Sequence, residues 1–265
     1  MGIYQLSSIG DYVWYDNNGN GIQDIAETGV QGITATLFGS DCTTAVTGVA
    51  PIITDANGFY QFKDLLLGEY CVGFTGIPAG YAISPQNQGG DNELNSDVNV
   101  ATGKTMVTTL QRGENDLSWD MGIYEEATIG NFVWNDKNAN GKQDGGENGV
   151  DAVTVTLYGS DCTTRAKDSL GVDIPTTATD ASGLYTFEYL MPSEYCLGFS
   201  NIPVGLHVSP KDMGEDGLDS DVNTDTNKTI STLLEAGEND TSWDMGLYEK
   251  ASIGDRVWSV SYTHL

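Results

Sequence analysis

Ile9-Gly10-Asp11-Tyr12-Val13-Trp14 returns as Ile129-Gly130-Asn131-Phe132-Val133-Trp134 and once more as Ile253-Gly254-Asp255-Arg256-Val257-Trp258. Other landmarks keep the same order. Asp55-Ala56-Asn57-Gly58-Phe59-Tyr60 matches Asp180-Ala181-Ser182-Gly183-Leu184-Tyr185, and Ser118-Trp119-Asp120-Met121-Gly122 matches Ser242-Trp243-Asp244-Met245-Gly246. Self-similarity at a fixed period is the mark of a tandem array, with full repeats here at 9–124 and 125–249 and the start of a third at 250–265. Residues 1–8 read as the end of a preceding repeat plus a linker, because Met1-Gly2-Ile3-Tyr4 aligns with Met121-Gly122-Ile123-Tyr124. The third copy follows its template to Trp258, and 259–265 then departs from it; that tail reads as a truncation, frameshift or assembly artefact in which His264 carries no functional weight. The second repeat gains five residues before Tyr185 and loses one before Leu218, both in polar sequence where insertions are tolerated.

Within each repeat, apolar residues alternate over short runs such as 33–38, 59–62, 70–74 and 105–110. A period of two marks half-buried strands, and the Gly, Asn, Asp and Pro clusters between them leave no room for helical crossovers. The pattern predicts an all-β chain of tandem antiparallel β-sandwiches, about seven strands per repeat. Trp14, Tyr60, Phe62, Tyr70 and Trp119 are the expected core of the first, and Trp134, Tyr185, Phe187, Tyr195 and Trp243 that of the second.

Eleven Lys and Arg against 38 Asp and Glu give the 265 residues a net charge of −27. So acidic a surface repels phosphate, which argues against nucleic acid and anionic membranes as partners. A hydrophobic content of 39% is enough for packed cores, so acidity does not imply disorder. No run approaches the roughly 20 apolar residues of a membrane helix, so membrane insertion of this segment is not expected. The first residues lack the basic and apolar regions of a signal peptide.

The first strand is followed by a twelve-residue stretch that fits a calcium loop position by position. Side-chain oxygens fall at Asp16, Asn18, Asn20, Asp24 and Glu27, a sharp turn at Gly21, and a backbone carbonyl ligand at Ile22. Calcium wants six to eight hard oxygen donors, and a terminal carboxylate long enough to chelate closes the cage. The second repeat supplies Asp136, Asn138, Asn140, Lys142 by its carbonyl, Asp144 and Glu147, so every proposed side-chain ligand type recurs. A plain Asn- and Gly-rich surface turn is the alternative. A strand before the loop and a Gly-Val strand start after it distinguish the setting from an EF-hand.

A second acidic cluster offers Asp91, Asn92, Asp97 and Asn99 in the first copy, and Glu215, Asp216, Asp219, Asp221 and Asn223 in the second. Its spacing is irregular, so either a further cation site or a solvated acidic loop follows. Asp11, Asp120 and Asp244 face the same cluster or lie on a polar sheet face. Asp55, Asn57 and Gly58 read as a hairpin turn.

Cys42, Cys71, Cys162 and Cys196 allow three connectivities; internal repetition favours 42 with 71 and 162 with 196, each repeat then being self-contained. Free buried thiols are the alternative. Disulfides imply an oxidising, extracellular setting. No Cys-x-x-Cys motif and no neighbouring His point to zinc. His207, the only His of the repeated region, aligns with Ala82, and no recurring nucleophile supports an enzyme.

The string from Ile9 to Asp24, with the Asp55-to-Phe62 turn, Leu65-Leu66-Leu67-Gly68-Glu69-Tyr70-Cys71, the acidic run around Asp91 and Trp119-Asp120-Met121-Gly122-Ile123-Tyr124, closely resembles the B-type repeats of serine-aspartate repeat surface proteins. The resemblance implies Ig-like or prealbumin-like sandwiches related to collagen-adhesin B domains, with calcium in the Asp-x-Asn-x-Asn-Gly loops. It also implies a rigid stalk, secreted or anchored to the cell wall, that holds a ligand-binding head outward. The cysteines depart from the usual members. Calcium and neighbouring repeats of the same chain are the partners this reading expects, with a host or matrix protein or carbohydrate as a further one. Two other classes are a carbohydrate- or protein-binding module using an exposed patch at Tyr15, Phe132 and Tyr158, and a glycosidase using two free carboxylates.

Overall fold

The computed structural model describes residues 5–255. The readings of residues 1–4 and of the tail 259–265 fall outside them. The first repeat contains β1 (Ser7–Tyr15), β2 (Thr34–Gly39), β3 (Ile52–Ile53), β4 (Phe59–Leu65), β5 (Gly68–Thr75), β6 (Tyr81–Ile83), β7 (Thr108–Leu110), β8 (Asn115–Asp116) and β9 (Met121–Glu125). The second contains β10 (Ala127–Asn135), β11 (Thr154–Gly159), β12 (Thr177–Ala178), β13 (Leu184–Leu190), β14 (Ser193–Ser200), β15 (Leu206–Val208), β16 (Thr232–Leu234), β17 (Asn239–Asp240) and β18 (Met245–Glu249). The only helical piece among the described residues is a 3-10 turn at Asp216–Leu218.

Each repeat stacks a sheet ordered β4-β1-β9-β6, with β8 also on β1, over a sheet ordered β3-β2-β5-β7; the second repeat copies both. The chain is all-β, as the periodicity predicts, with two differences. Nine strands form per repeat, because two-residue pairings such as β3 and β8 are too short to show as alternation. The sheets are also not wholly antiparallel, since β1 runs parallel to β9, with Val13 opposite Met121 and Tyr15 opposite Ile123. Residues 105–107 stay outside β7, which starts at Thr108.

Alternation places Tyr60 and Phe62 of β4 inward and Lys63 outward, and Ala35 and Leu37 of β2 face them. Trp14 and Trp134 are fully buried, and both core clusters form within single repeats. Tyr70 and Trp243 are half-buried at the core edge. Asp55 accepts from the backbone N–H groups of Asn57 (2.8 Å) and Phe59 (3.0 Å), making the expected turn into β4. Cys42 bonds to Cys71 and Cys162 to Cys196, each tying the loop after β2 or β11 to the next long strand of the same sheet. The extra residues of the second repeat form a small arch closed by the Asp168 N–H donating to Val172 O (2.9 Å) and a Lys167–Asp173 ion pair (3.1 Å).

Candidate metal centre

β1 delivers Asp16 into a buried position: its N–H donates to Ile123 O of β9 at 2.8 Å, and the residue is 0% exposed. Its carboxylate turns back into the loop, Oδ1 accepting from Asn20 N (3.1 Å) and Oδ2 from Gly21 N (2.8 Å). Gly21 takes φ +72° with its Cα against Pro85 O, where a Cβ would lie 2.3 Å from that oxygen, so both the turn and the close approach require glycine. Asn18 and Asn20 donate their amide N–H groups to one atom, Asp24 Oδ2, at 2.8 and 3.2 Å. Glu27 closes the loop, Oε1 accepting from Asn17 N (2.8 Å) and Oε2 from Asp24 N (2.9 Å). Burial pushes the Asp16 and Glu27 carboxyls up, and the neighbouring Asp16 and Asp24 add to the rise at Glu27.

The loop of the second repeat has the same geometry. Asp136 accepts from Asn140 N (3.2 Å) and Gly141 N (2.8 Å), Asn138 and Asn140 converge on Asp144 Oδ2 (2.8 and 2.9 Å), and Glu147 accepts from Lys137 N and Asp144 N. The backbones of Ile22 and Lys142 bridge to Asn95 and Asp219, so the second acidic loop lies along the first in each repeat. Among the described residues no three His, Cys, Asp or Glu side chains are gathered as a ready metal cluster. The reason is visible in the loops, where amides stand between the carboxylates. The donor set nevertheless suits a hard cation: three carboxylates, two amide oxygens and a carbonyl, all oxygen, within twelve residues. A half-turn of the Asn18 and Asn20 amides exchanges N–H for C=O toward Asp24.

The second acidic cluster divides. Asp91, Asn92 and Asp216 lie on exposed turns, Asp91 accepting from Glu93 N at 3.1 Å. Asp97, Asp219 and Asp221 are buried. Asp97 Oδ2 accepts from Asp120 N (2.9 Å), and Asp120 Oδ1 from Tyr12 N (3.0 Å). In the second copy Asp221 Oδ2 accepts from Asp244 N (2.6 Å), and Asp219 accepts from Gly214 N. Burial, followed by the charges of Asp11 and Asp97, pushes Asp120 up to about 9. Burial likewise raises Asp97 to about 7, Asp11 to about 6, Asp244 to about 8 and Asp221 to about 7. Asp120 and Asp244 therefore belong with the cluster. Alternation gave no reason to choose this over a polar face, because the strand beginning at Met121 is covered on both sides.

Each proposed ligand-patch aromatic is half-buried and engaged within its own repeat. Tyr15 packs on Tyr81 (centroids 5.5 Å apart), Phe132 stacks on Trp134 (6.4 Å), and the Lys228 ammonium sits 4.1 Å over the Tyr158 ring. No helix among the described residues is long and apolar enough to cross a membrane.

The architecture and paired loops define a class of tandem β-sandwich repeat domains. The chain belongs to the SdrD B-like domain family, whose sequence model matches residues 7–123 and 127–247. It is 35% identical over 257 residues to serine-aspartate repeat-containing protein D of Staphylococcus aureus strain Newman, covering 96% of this chain and 18% of that protein. It is also 35% identical over 254 residues to serine-aspartate repeat-containing protein F of Staphylococcus epidermidis, covering 95% and 13%. The chain thus spans less than a fifth of these relatives. Among solved structures it resembles GBS52, a minor pilin of Streptococcus agalactiae, with TM-score 0.35 and 12% identity over 96% of this chain and 100% of that one.

Proposed function

We propose that the chain is a calcium-binding spacer segment of a bacterial surface adhesin, secreted or anchored to the cell wall, in which the ion stiffens the array. The role is structural, not enzymatic. The observation that carries the reading is the repetition of one loop geometry in both repeats, with a buried Asp at the first position and a Glu tying the loop ends at the twelfth. Asp16, Asn18, Asn20, Asp24, Glu27 and the Ile22 carbonyl would hold one ion, and Asp136, Asn138, Asn140, Asp144, Glu147 and the Lys142 carbonyl another. The buried carboxyls of Asp97 in repeat one and of Asp219 and Asp221 in repeat two lie in the loop that runs alongside. Membership of a family whose relatives are staphylococcal serine-aspartate repeat proteins supports an extracellular setting, as do the two disulfides.

Extracellular calcium modules work with Kd values of about 10⁻⁴ to 10⁻³ M. At about 1 mM calcium, a site of that affinity that binds only the folded state adds about 0.4 to 1.4 kcal/mol. Thermal unfolding followed by circular dichroism, in millimolar calcium and in excess chelator, tests the reading. A raised midpoint in calcium is the expected result, and superimposable melts would remove the ion from the fold.

A further inference from the structure

The first repeat carries a formed junction at one end and a bare copy of the opposite half-junction at the other. At the formed junction, the loop of repeat one meets the β13–β14 tip of repeat two: a Cβ on Gly19 would sit 3.1 Å from Pro192 and 3.5 Å from Met191 Cβ. Across the junction Tyr124 interacts electrostatically with Ser169, in the arch of repeat two, and with Tyr195. Gly19, Tyr124, Pro192 and Tyr195 are all buried.

Their counterparts at the outer ends are not. Ala139, in the place of Gly19, is exposed, and Tyr248, in the place of Tyr124, is only half-buried. On the first repeat, Leu66 and Leu67 stand where Met191 and Pro192 stand, yet they are 57% and 62% exposed, and Tyr70 is less covered than Tyr195. The entering chain nevertheless follows the path of the formed junction. Glu125 packs on Gly237, where a Cβ would lie 2.6 Å from its Cδ, and Gln5 packs on the equivalent Gly113, where a Cβ would lie 2.3 Å from its Cδ. Exposed Arg112 replaces Ala236 in the adjoining loop and offers a cation to an acidic partner.

We propose that the Leu66–Leu67 tip of repeat one is a docking face, and that its occupant is the acidic loop end of another repeat of this kind, joined ahead of Gln5. The inference rests on the reading of the chain as a segment of a tandem array. Continuity with the formed junction carries it, since the same tip, adjoining loop and entry path recur at this end of repeat one. The partner loop would cover Leu66 and Leu67 as the loop of repeat one covers Met191 and Pro192. Two apolar side chains at a hairpin tip otherwise remain in water at a cost that docking removes.

The test extends the whole chain by placing a copy of residues 9–120 ahead of Met1, so that residues 1–5 stand in the place of 121–125. Carbene footprinting of the peptide holding Leu66 and Leu67 is compared before and after extension, in millimolar calcium and in chelator. Labelling should fall several-fold, toward the level of the Met191–Pro192 peptide. A Leu66→Glu, Leu67→Glu double substitution in the extended chain should broaden the pair-distance distribution in small-angle scattering while the melting of repeat one is retained. Unchanged labelling on extension overturns the proposal. A fall seen equally in chelator supports docking and removes calcium from it, so failure of the calcium reading and failure of the docking face are separable.

Discussion

The Asn131 side-chain amide donates to Asp244 Oδ2 across 3.0 Å. The equivalent residue of repeat one is Asp11, which has no such hydrogen to give, and Asp120 Oδ2 is buried without a donor among the described residues. The two repeats thus solve the same problem, a carboxyl inside a sandwich, in different ways.

Asp11→Asn should give repeat one the solution of repeat two. Stability in chelator at pH 8 is expected to rise by about 1 kcal/mol, the net worth of a satisfied hydrogen bond. Urea unfolding measures it, and an unchanged or lowered midpoint would show that the pair is not limiting.

The pH dependence of the ion-free protein follows from the same carboxyls. Burial raises Asp120 to about 9 and Asp244 to about 8, so between about 4 and 9 the folded state binds more protons than the unfolded one. Their contribution is fully present below the unfolded value of 3.8 and is lost as pH rises through the folded values. Melting temperature in chelator should therefore decline from pH 5 to pH 9, and Asp120→Asn should flatten the decline. A midpoint that climbs over this range would contradict the assignment.

Glu27→Ala removes the group that ties Asn17 N to Asp24 N, and Glu147→Ala does the same in repeat two. Each should weaken calcium binding at its own loop by at least about tenfold, or about 1.4 kcal/mol. Isothermal titration reads both sites, and curves matching the unsubstituted protein would withdraw the ligand set.

Cys42→Ser with Cys71→Ser opens a bridge spanning 29 residues. The chain-entropy model assigns such a loop about 3 to 4 kcal/mol. Denaturant unfolding of the double variant should show a loss of that order; a loss under about 1 kcal/mol would place the stability elsewhere.

The internal repeat made much of this legible before any coordinates. Two copies of Ile-Gly-x-x-Val-Trp and of the twelve-residue loop pointed to an array and to the loop's extent, and repetition favoured the cysteine pairing found in the structure. Local spacing is enough for the loop because the side-chain hydrogen bonds within it span at most ten residues, as from Asn17 to Glu27. What stayed hidden is long-range. The parallel contact of β1 with β9 joins residues more than a hundred positions apart, and Asp97 meets Asp120 only because two loops converge. The junction was equally silent: nothing in Leu66-Leu67 against Met191-Pro192 says which pair is covered until Gly19 is seen against Pro192.

The parallel pairing of the first and last strands of a repeat also decides how it bears load. The chain enters repeat one at the start of β1 and leaves it at the end of β9, and these neighbours point the same way. Tension applied to the two ends therefore pulls β1 and β9 in opposite directions along their length. The bonds around Val13, Trp14 and Tyr15 are sheared together instead of being peeled one at a time. A string of such units resists stretching at every link.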